Sequence, residues 1–180
     1  MSDSQTSAGV GHPDLLAVYT NDHLASSTGG IELVSRMVSE HSGSRHEDAL
    51  RQLLGELREE KSALAATMAA LGIPVRQYKQ AAAWVAEKAS RGKLNGRLLA
   101  RSPLSSLIEF EFLTSAVRGK RSGFETLRIA AEVDARIDRV LVDGLITQAN
   151  RQYHWLTDAR REVAAGLFGG DPSAVDLEEA

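Results

Sequence analysis

His23, Glu60, Lys61, Glu111, Gln148 and Gln152 stand at helical spacing among apolar residues, where an α-helical bundle would bury them. Carboxylates and an imidazole converging from different helices are donors that iron, manganese or zinc accepts. His23, Glu60 and Glu111, with Glu32 or Glu56 beside them, therefore compose a metal-ligand set of the kind that activates oxygen. Lys61 argues against it. It interrupts the stripe Leu50, Leu54, Leu57, Leu64 and Met68, with Glu56 and Glu60 along one edge. An ammonium at that point would neutralise the carboxylates and repel a divalent cation, although a buried pair of this kind need not add net stability. Gln148 and Gln152 fall between Leu141 and Trp155, where a metal site would require carboxylates. The expectation is an interior polar layer of His23, Glu60, Lys61, Glu111, Gln148 and Gln152 with no cofactor. Iron or manganese held by His23, Glu32, Glu56, Glu60 and Glu111 is the alternative.

Other chemistries find less support. The chain has no cysteine, which removes disulfides, thiolate metal sites and a cysteine nucleophile together. No arrangement orders a serine, a histidine and an aspartate into a nucleophile and base. Lys88, Arg91, Lys93, Arg97 and Arg101 make a basic stretch, followed by Arg118, Lys120 and Arg121. Leu94, Leu98 and Leu99 interleave with it as packing residues would, and no motif that reads DNA or RNA accompanies it. Asn95-Gly96 is a turn without the spacing of a phosphate-binding loop. A formal net charge of -3 supplies no general attraction to nucleic acid or anionic membrane, so neither is an expected partner.

The elements that must carry these residues read as long helices. Only 4 of 180 residues are proline, and 43% are hydrophobic, so the chain can bury a core and continue helices through it. A first helix starts at His12-Pro13-Asp14, carries Leu16, Tyr19, His23, Ser27, Ile31, Val34 and Met37, and stops at His41-Ser42-Gly43-Ser44. A second opens between Ser44 and Asp48 and ends at Gly72-Ile73-Pro74. The short turn between them makes an antiparallel pair. A long connection follows, with a shorter helix at about 76–90 that includes Tyr78 and Trp84. Ser102-Pro103 is a strong helix start, and the third helix runs through Phe110 and Leu113, with Gly119 and Gly123 leaving its continuation to about Glu132 open. The fourth is expected from about Ala135 to Leu167, with Ile137, Leu141, Leu145, Trp155, Ala159 and Val163 inward. Hairpin, long crossover, hairpin is the order of a ferritin-like four-helix bundle. Residues 1–11 read as a flexible leader and 169–180 as a disordered acidic tail, flanking one domain over 12–168.

Two runs add a resemblance. Tyr19-Thr20-Asn21-Asp22-His23-Leu24-Ala25-Ser26-Ser27-Thr28-Gly29-Gly30-Ile31-Glu32-Leu33 is one. Lys93-Leu94-Asn95-Gly96-Arg97-Leu98-Leu99-Ala100-Arg101-Ser102-Pro103-Leu104, followed by Glu109-Phe110-Glu111, is the other. Together they resemble a group of uncharacterised actinobacterial-type proteins placed near the ferritin-like superfamily. The resemblance implies the four-helix fold and implies no activity. Metal-binding members of that superfamily carry Glu-x-x-His on two helices. This sequence contains no Glu-x-x-His and offers Glu56-x-x-Glu59 instead.

The run Ala25 to Gly30 is all small residues. Glycine inside a helix costs about 1 kcal/mol relative to alanine, so a close approach to another helix or to a ligand is implied there. A homodimer through that face, or through the region of Trp84, is the expected assembly. Residues 1–11 lack a basic start followed by an apolar run, and no apolar segment is long enough to span a bilayer, so the expected location is the cytoplasm. The function expected on these grounds is binding or self-association rather than catalysis, with a metal-dependent oxidase or metal-handling protein as the alternative.

Overall fold

A computed structural model describes residues 10–76 and 102–174. They form four α-helices, α1 (Pro13–Glu40), α2 (Glu47–Ala70), α3 (Pro103–Ala130) and α4 (Arg139–Phe168), with a short 3-10 turn over Pro172–Ala174. There is no strand among the described residues. The short helix expected at about 76–90 and the basic stretch from Lys88 to Arg101 lie outside them.

Local signals set the helix ends. Pro13 and Asp14 occupy the first turn of α1, where a missing N–H and a negative charge both suit the unpaired amides. Gly72, at φ 72°, turns the chain out of α2. The Ser102 hydroxyl accepts from the Leu104 N–H ahead of Pro103, capping α3. Gly119 and Gly123 do not interrupt α3, which continues unbroken to Ala130. The fourth helix begins later than its sequence pattern predicts. Residues 131–138 are the turn from α3, and the Asp138 carboxylate accepts from the Leu141 N–H as the cap of α4. Of the expected inward residues of α4, Leu145, Trp155 and Val163 pack against the core. Val142, Ala149, Gln152, Leu156 and Ala159 are buried, whereas Leu141, expected inside, is exposed. Gly169, at φ 74°, closes α4, and residues 169–174 of the expected tail form this cap and the 3-10 turn.

Two apolar clusters fix the helix directions. One joins the end of α1 (Val34, Met37) and the starts of α2 (Leu50, Leu53) and α3 (Phe110, Leu113) to the end of α4 (Leu156, Ala159). The other joins the start of α1 (Leu16, Leu24) and the ends of α2 (Leu64, Met68) and α3 (Phe124, Leu127) to the start of α4 (Val142, Ala149). Hence α1 and α2 are antiparallel, as are α3 and α4, and α2 runs parallel to α3. The last residue of α2 and the first of α3 therefore lie at opposite ends of the bundle. Fully buried side chains such as Phe110, Met37, Leu50 and Met68 each contribute about 1.5–3 kcal/mol by leaving water.

The exit from α2 is tied to α1. Asn21, buried against solvent, accepts from the Arg76 N–H at 2.6 Å and donates to the Pro74 carbonyl at 3.2 Å. No helix among the described residues is long and apolar enough to cross a membrane.

A histidine pair closes the first cluster. His41 and His46 each meet the Phe110 ring edge-on at 5.4 Å, and Phe110 meets Trp155 at 6.2 Å. His41 Nε2 is buried without a hydrogen-bond partner. Burial pushes both imidazoles below their ordinary value of 6.5, with Glu109 opposing at His41 and Glu162 opposing at His46. The folded state thus holds them neutral, whereas the unfolded chain protonates them near the ordinary value. Their contribution is complete above about pH 6.5 and is lost as pH falls through the depressed folded values. We expect the urea midpoint to drop between pH 7 and pH 5, and the His41→Gln/His46→Gln double variant to show a shallower drop. An unchanged slope in that variant would assign the acid sensitivity elsewhere.

Candidate functional site

Midway along the bundle, between the two apolar clusters, one ammonium joins three helices. Lys120 Nζ on α3 donates to Glu60 Oε2 on α2 at 2.5 Å and to Gln152 Oε1 on α4 at 2.5 Å. Glu60 is 3% exposed and Gln152 4%. The other Glu60 oxygen accepts from Gln148 Nε2 and Gln152 Nε2, both at 2.9 Å. Gln152 Nε2 also donates to Glu56 Oε2 at 2.7 Å. Glu56 Oε1 in turn accepts from Arg151 at 2.6 Å and Gln52 at 2.8 Å. Burial alone would raise the Glu56 carboxyl, but the bonds from Gln152, Gln52 and Arg151 outweigh it and hold the group below its ordinary range. At Lys120 burial dominates and lowers the ammonium below its ordinary value, with Glu60 pulling the other way.

The helices place these groups by simple periodicity. Glu56 and Glu60 are one turn apart on α2, as Gln148 and Gln152 are on α4, and both pairs continue the buried stripe of their helix. Lys120 follows Leu113 and Val117 and precedes Phe124 and Leu127 on the inward face of α3. A lysine stem can lie along such a face while its amine reaches the carboxylate.

Beside this layer the described helices leave an opening. The pair α1/α2 and the pair α3/α4 are tightly packed, whereas α1 and α3 touch sparsely. They are bridged near both ends, by Tyr19 Oη with Thr126 Oγ1 at 3.2 Å and by Arg36 donating to Glu109 at 3.1 Å. Between the bridges they part around a cavity of about 640 Å³. Its floor is buried and apolar, with Leu57, Leu64, Val117 and Phe124, and Glu60 and Lys120 form part of the wall. Ser26, Glu111, Ser115 and Gly119 stand at the exposed rim.

The remaining expected residues distribute around this cleft. His23 is half-buried on its wall and not in the core, because the deepest residues of α1 near it are Thr20 and Leu24. Its ring stacks edge-on to Tyr19 at 4.6 Å. It lies so close to Gly123 that a Cβ there would stand 2.7 Å from Cε1 and 2.8 Å from Nδ1, so glycine is what admits the imidazole. Burial lowers the His23 pKa, with Asp22 opposing. Lys61 is not the central amine. It is half-buried on the cleft side of α2 and donates to Thr28 Oγ1 at 2.8 Å. Glu111 is not interior either, since Leu104 and Ile108 of its face are exposed, and it lies 4.0 Å from Arg160. Glu32 is exposed on α1. Of the residues expected in one layer, Glu60, Gln148 and Gln152 meet, joined by Glu56. Lys120 is the member that sequence reasoning placed only in a basic stretch. Its signal was its spacing from Leu113, Val117, Phe124 and Leu127, available once α3 is taken as continuous.

The layer's donor set does not fit a metal. Glu60 already accepts from three side chains, its nearest cationic neighbour is an ammonium, and the α4 positions are amides. Among the described residues, no three His, Cys, Asp or Glu side chains gather closely enough to hold an ion. What the layer can do is hold one buried charge pair in a network of hydrogen bonds and lock the register of three helices.

Removing Lys120 would leave Glu60 charged and without its ion-pair partner. Breaking a buried pair from one side costs about 3–5 kcal/mol, so Lys120→Met should lower unfolding free energy by that order in urea titrations followed by circular dichroism. Lys120→Met/Glu60→Gln should recover more than half of the loss. A double variant no more stable than the single one would show that pairing is not what Lys120 supplies. No family model, curated protein or solved structure matches this chain.

Proposed function

We propose that this chain is a ferritin-like bundle whose centre is filled by an internal ion pair, and that it works as a non-catalytic binding protein through the cleft between α1 and α3. The single observation that carries the reading is the position of Lys120 Nζ, within 2.5 Å of both Glu60 and Gln152. In a metal-dependent member of that superfamily the same level of the bundle holds carboxylates and histidines directed at the ions. Here one carboxylate meets one ammonium and two amides. The ferritin-like assignment is supported by the parallel course of α2 and α3, with the last residue of α2 and the first of α3 at opposite ends of the bundle. The likeness of the Tyr19–Leu33 and Lys93–Leu104 runs to the actinobacterial group belongs to the same reading.

The cleft supports the binding role. Its volume of about 640 Å³ lies within the range of roughly 300–1,000 Å³ typical of small-molecule sites, with an apolar floor and a few polar groups converging on it. Serines and Gly30 on α1 keep it open, which gives the small-residue run of that helix a role other than helix contact. Self-association is the second reading, and it is favoured by the exposed apolar side chains Ile129, Val133 and Val140 around the α3–α4 turn. It places the interface at that end of the bundle and not on the small residues of α1.

Metal analysis of protein expressed in iron- and manganese-supplemented medium tests the central claim. We expect metal well below one ion per chain, unchanged in Glu60→Gln. Stoichiometric iron or manganese that disappears in Glu60→Gln would restore the oxidase or metal-handling alternative.

A further inference from the structure

The charges around the cleft are unevenly satisfied. Lys120 is paired with Glu60, and Glu111 at the rim faces Arg160. Lys61 has no such partner among the described residues: its half-buried ammonium donates one bond, to the neutral Thr28 hydroxyl, and leaves two of three donors for the cleft. His23 stands on the same wall, with its imidazole making no hydrogen bond to the described residues. The rest of the lining is dominated by apolar side chains from Leu57 and Leu64 on α2 and from Ile108, Phe112, Val117 and Phe124 on α3. The lining residues of α3 run from Ile108 to Leu127, about 28 Å along the helix at 1.5 Å per residue, so the space is elongated.

An elongated apolar cleft with one ammonium uncompensated among the described residues selects its occupant by two terms. Apolar surface leaving water favours any hydrocarbon body that fits. A half-buried cation without a counter-ion favours a ligand that brings a negative charge, because the charge is already partly desolvated and the ligand's oxygens complete its donors. From this geometry we infer that the cleft binds a monoanionic amphiphile, a carboxylate carrying an unbranched hydrocarbon chain. Its carboxylate sits at Lys61, and its chain lies along the α3 wall toward Phe124 or toward Ile108. The inference deepens the binding role proposed above and rests on it.

Calorimetric titration with decanoate, decanol and decylammonium, each below its aggregation limit, tests the inference on the full chain. Decanoate should bind at one per chain, at least tenfold more tightly than decanol, with decylammonium weakest. Lys61→Met should abolish the preference for decanoate over decanol while leaving decanol affinity within about threefold. Gly30 offers open space to a side chain, so Gly30→Phe should fill the cleft and reduce uptake of all three. Equal affinity for decanoate and decanol, or a preference that survives Lys61→Met, overturns the anionic head group. Absence of saturable binding, or binding unaffected by Gly30→Phe, overturns the cleft as the site. These outcomes are independent of the metal analysis, where uptake of iron or manganese at Glu60 would sink the metal-free reading and leave the amphiphile result standing.

Discussion

One buried ammonium organises this bundle. Lys120 reaches from α3 to Glu60 on α2 and Gln152 on α4, and the two apolar clusters lie on either side of that contact. Each helix of the trio switches from one cluster to the other at this level: between Leu57 and Leu64 on α2, between Val117 and Phe124 on α3, and between Ala149 and Leu156 on α4. Sliding any helix by one turn would bring a leucine or phenylalanine opposite a buried carboxylate. The desolvation cost makes the ion pair a poor source of net stability, but the penalty for misplacing it is large. The interaction therefore acts on specificity of register, while burial of the two clusters supplies most of the favourable free energy.

The first helix stands apart from this arrangement. At the level of the polar layer it offers Ser27, Thr28 and Gly30 in place of a charged group. Because α1 makes no bond to the Lys120 centre, nothing at mid-height draws it onto α3. The bridges from Tyr19 to Thr126 and from Arg36 to Glu109 hold the two helices near their ends. The cleft between them follows from those two facts, and its polarity follows from α2. Glu60 turns to Lys120 and is neutralised, while Lys61, the next residue, turns to the cleft and meets no carboxylate among the described residues.

Much of this was legible in the sequence, for identifiable reasons. Helix caps rest on local chemistry, so Pro13, Gly72 and Ser102 could be read without a partner helix. Glu60, Gln148 and Gln152 were legible because each interrupts an apolar stripe at one-turn spacing. The choice of amine was not. Lys61 and Lys120 both lie beside apolar stripes, and the two glycines flanking Lys120 made its helix look interrupted. The residues Gly119 and Gly123 sit within a helix whose other positions carry enough burial to continue through them, and the missing side chain at Gly123 is what leaves room for the imidazole of His23. The misplacement of Leu141 on α4 has a local origin. Its one-turn spacing from Ile137 predicts an inward position, but the Asp138 cap starts the helix after Ile137, which is buried in the preceding turn, so that spacing carries no helical phase.

The same layer explains why a single change would not convert this centre into a metal site. A pair of divalent ions in a bundle needs several anionic oxygens to offset their charge and histidine nitrogens to complete their coordination. One buried carboxylate balances one ammonium, and that equality is already reached between Glu60 and Lys120. Replacing Lys120 alone leaves an uncompensated anion. Replacing Gln152 by a carboxylate alone places two anions on one ammonium and removes the Nε2 donor that satisfies both Glu60 and Glu56. Each intermediate is penalised by desolvation before any ion could repay it. The ion pair is thus a local minimum in charge balance, whereas Lys61, His23 and the α1 serines make no bond to it and could be replaced without unbalancing the centre.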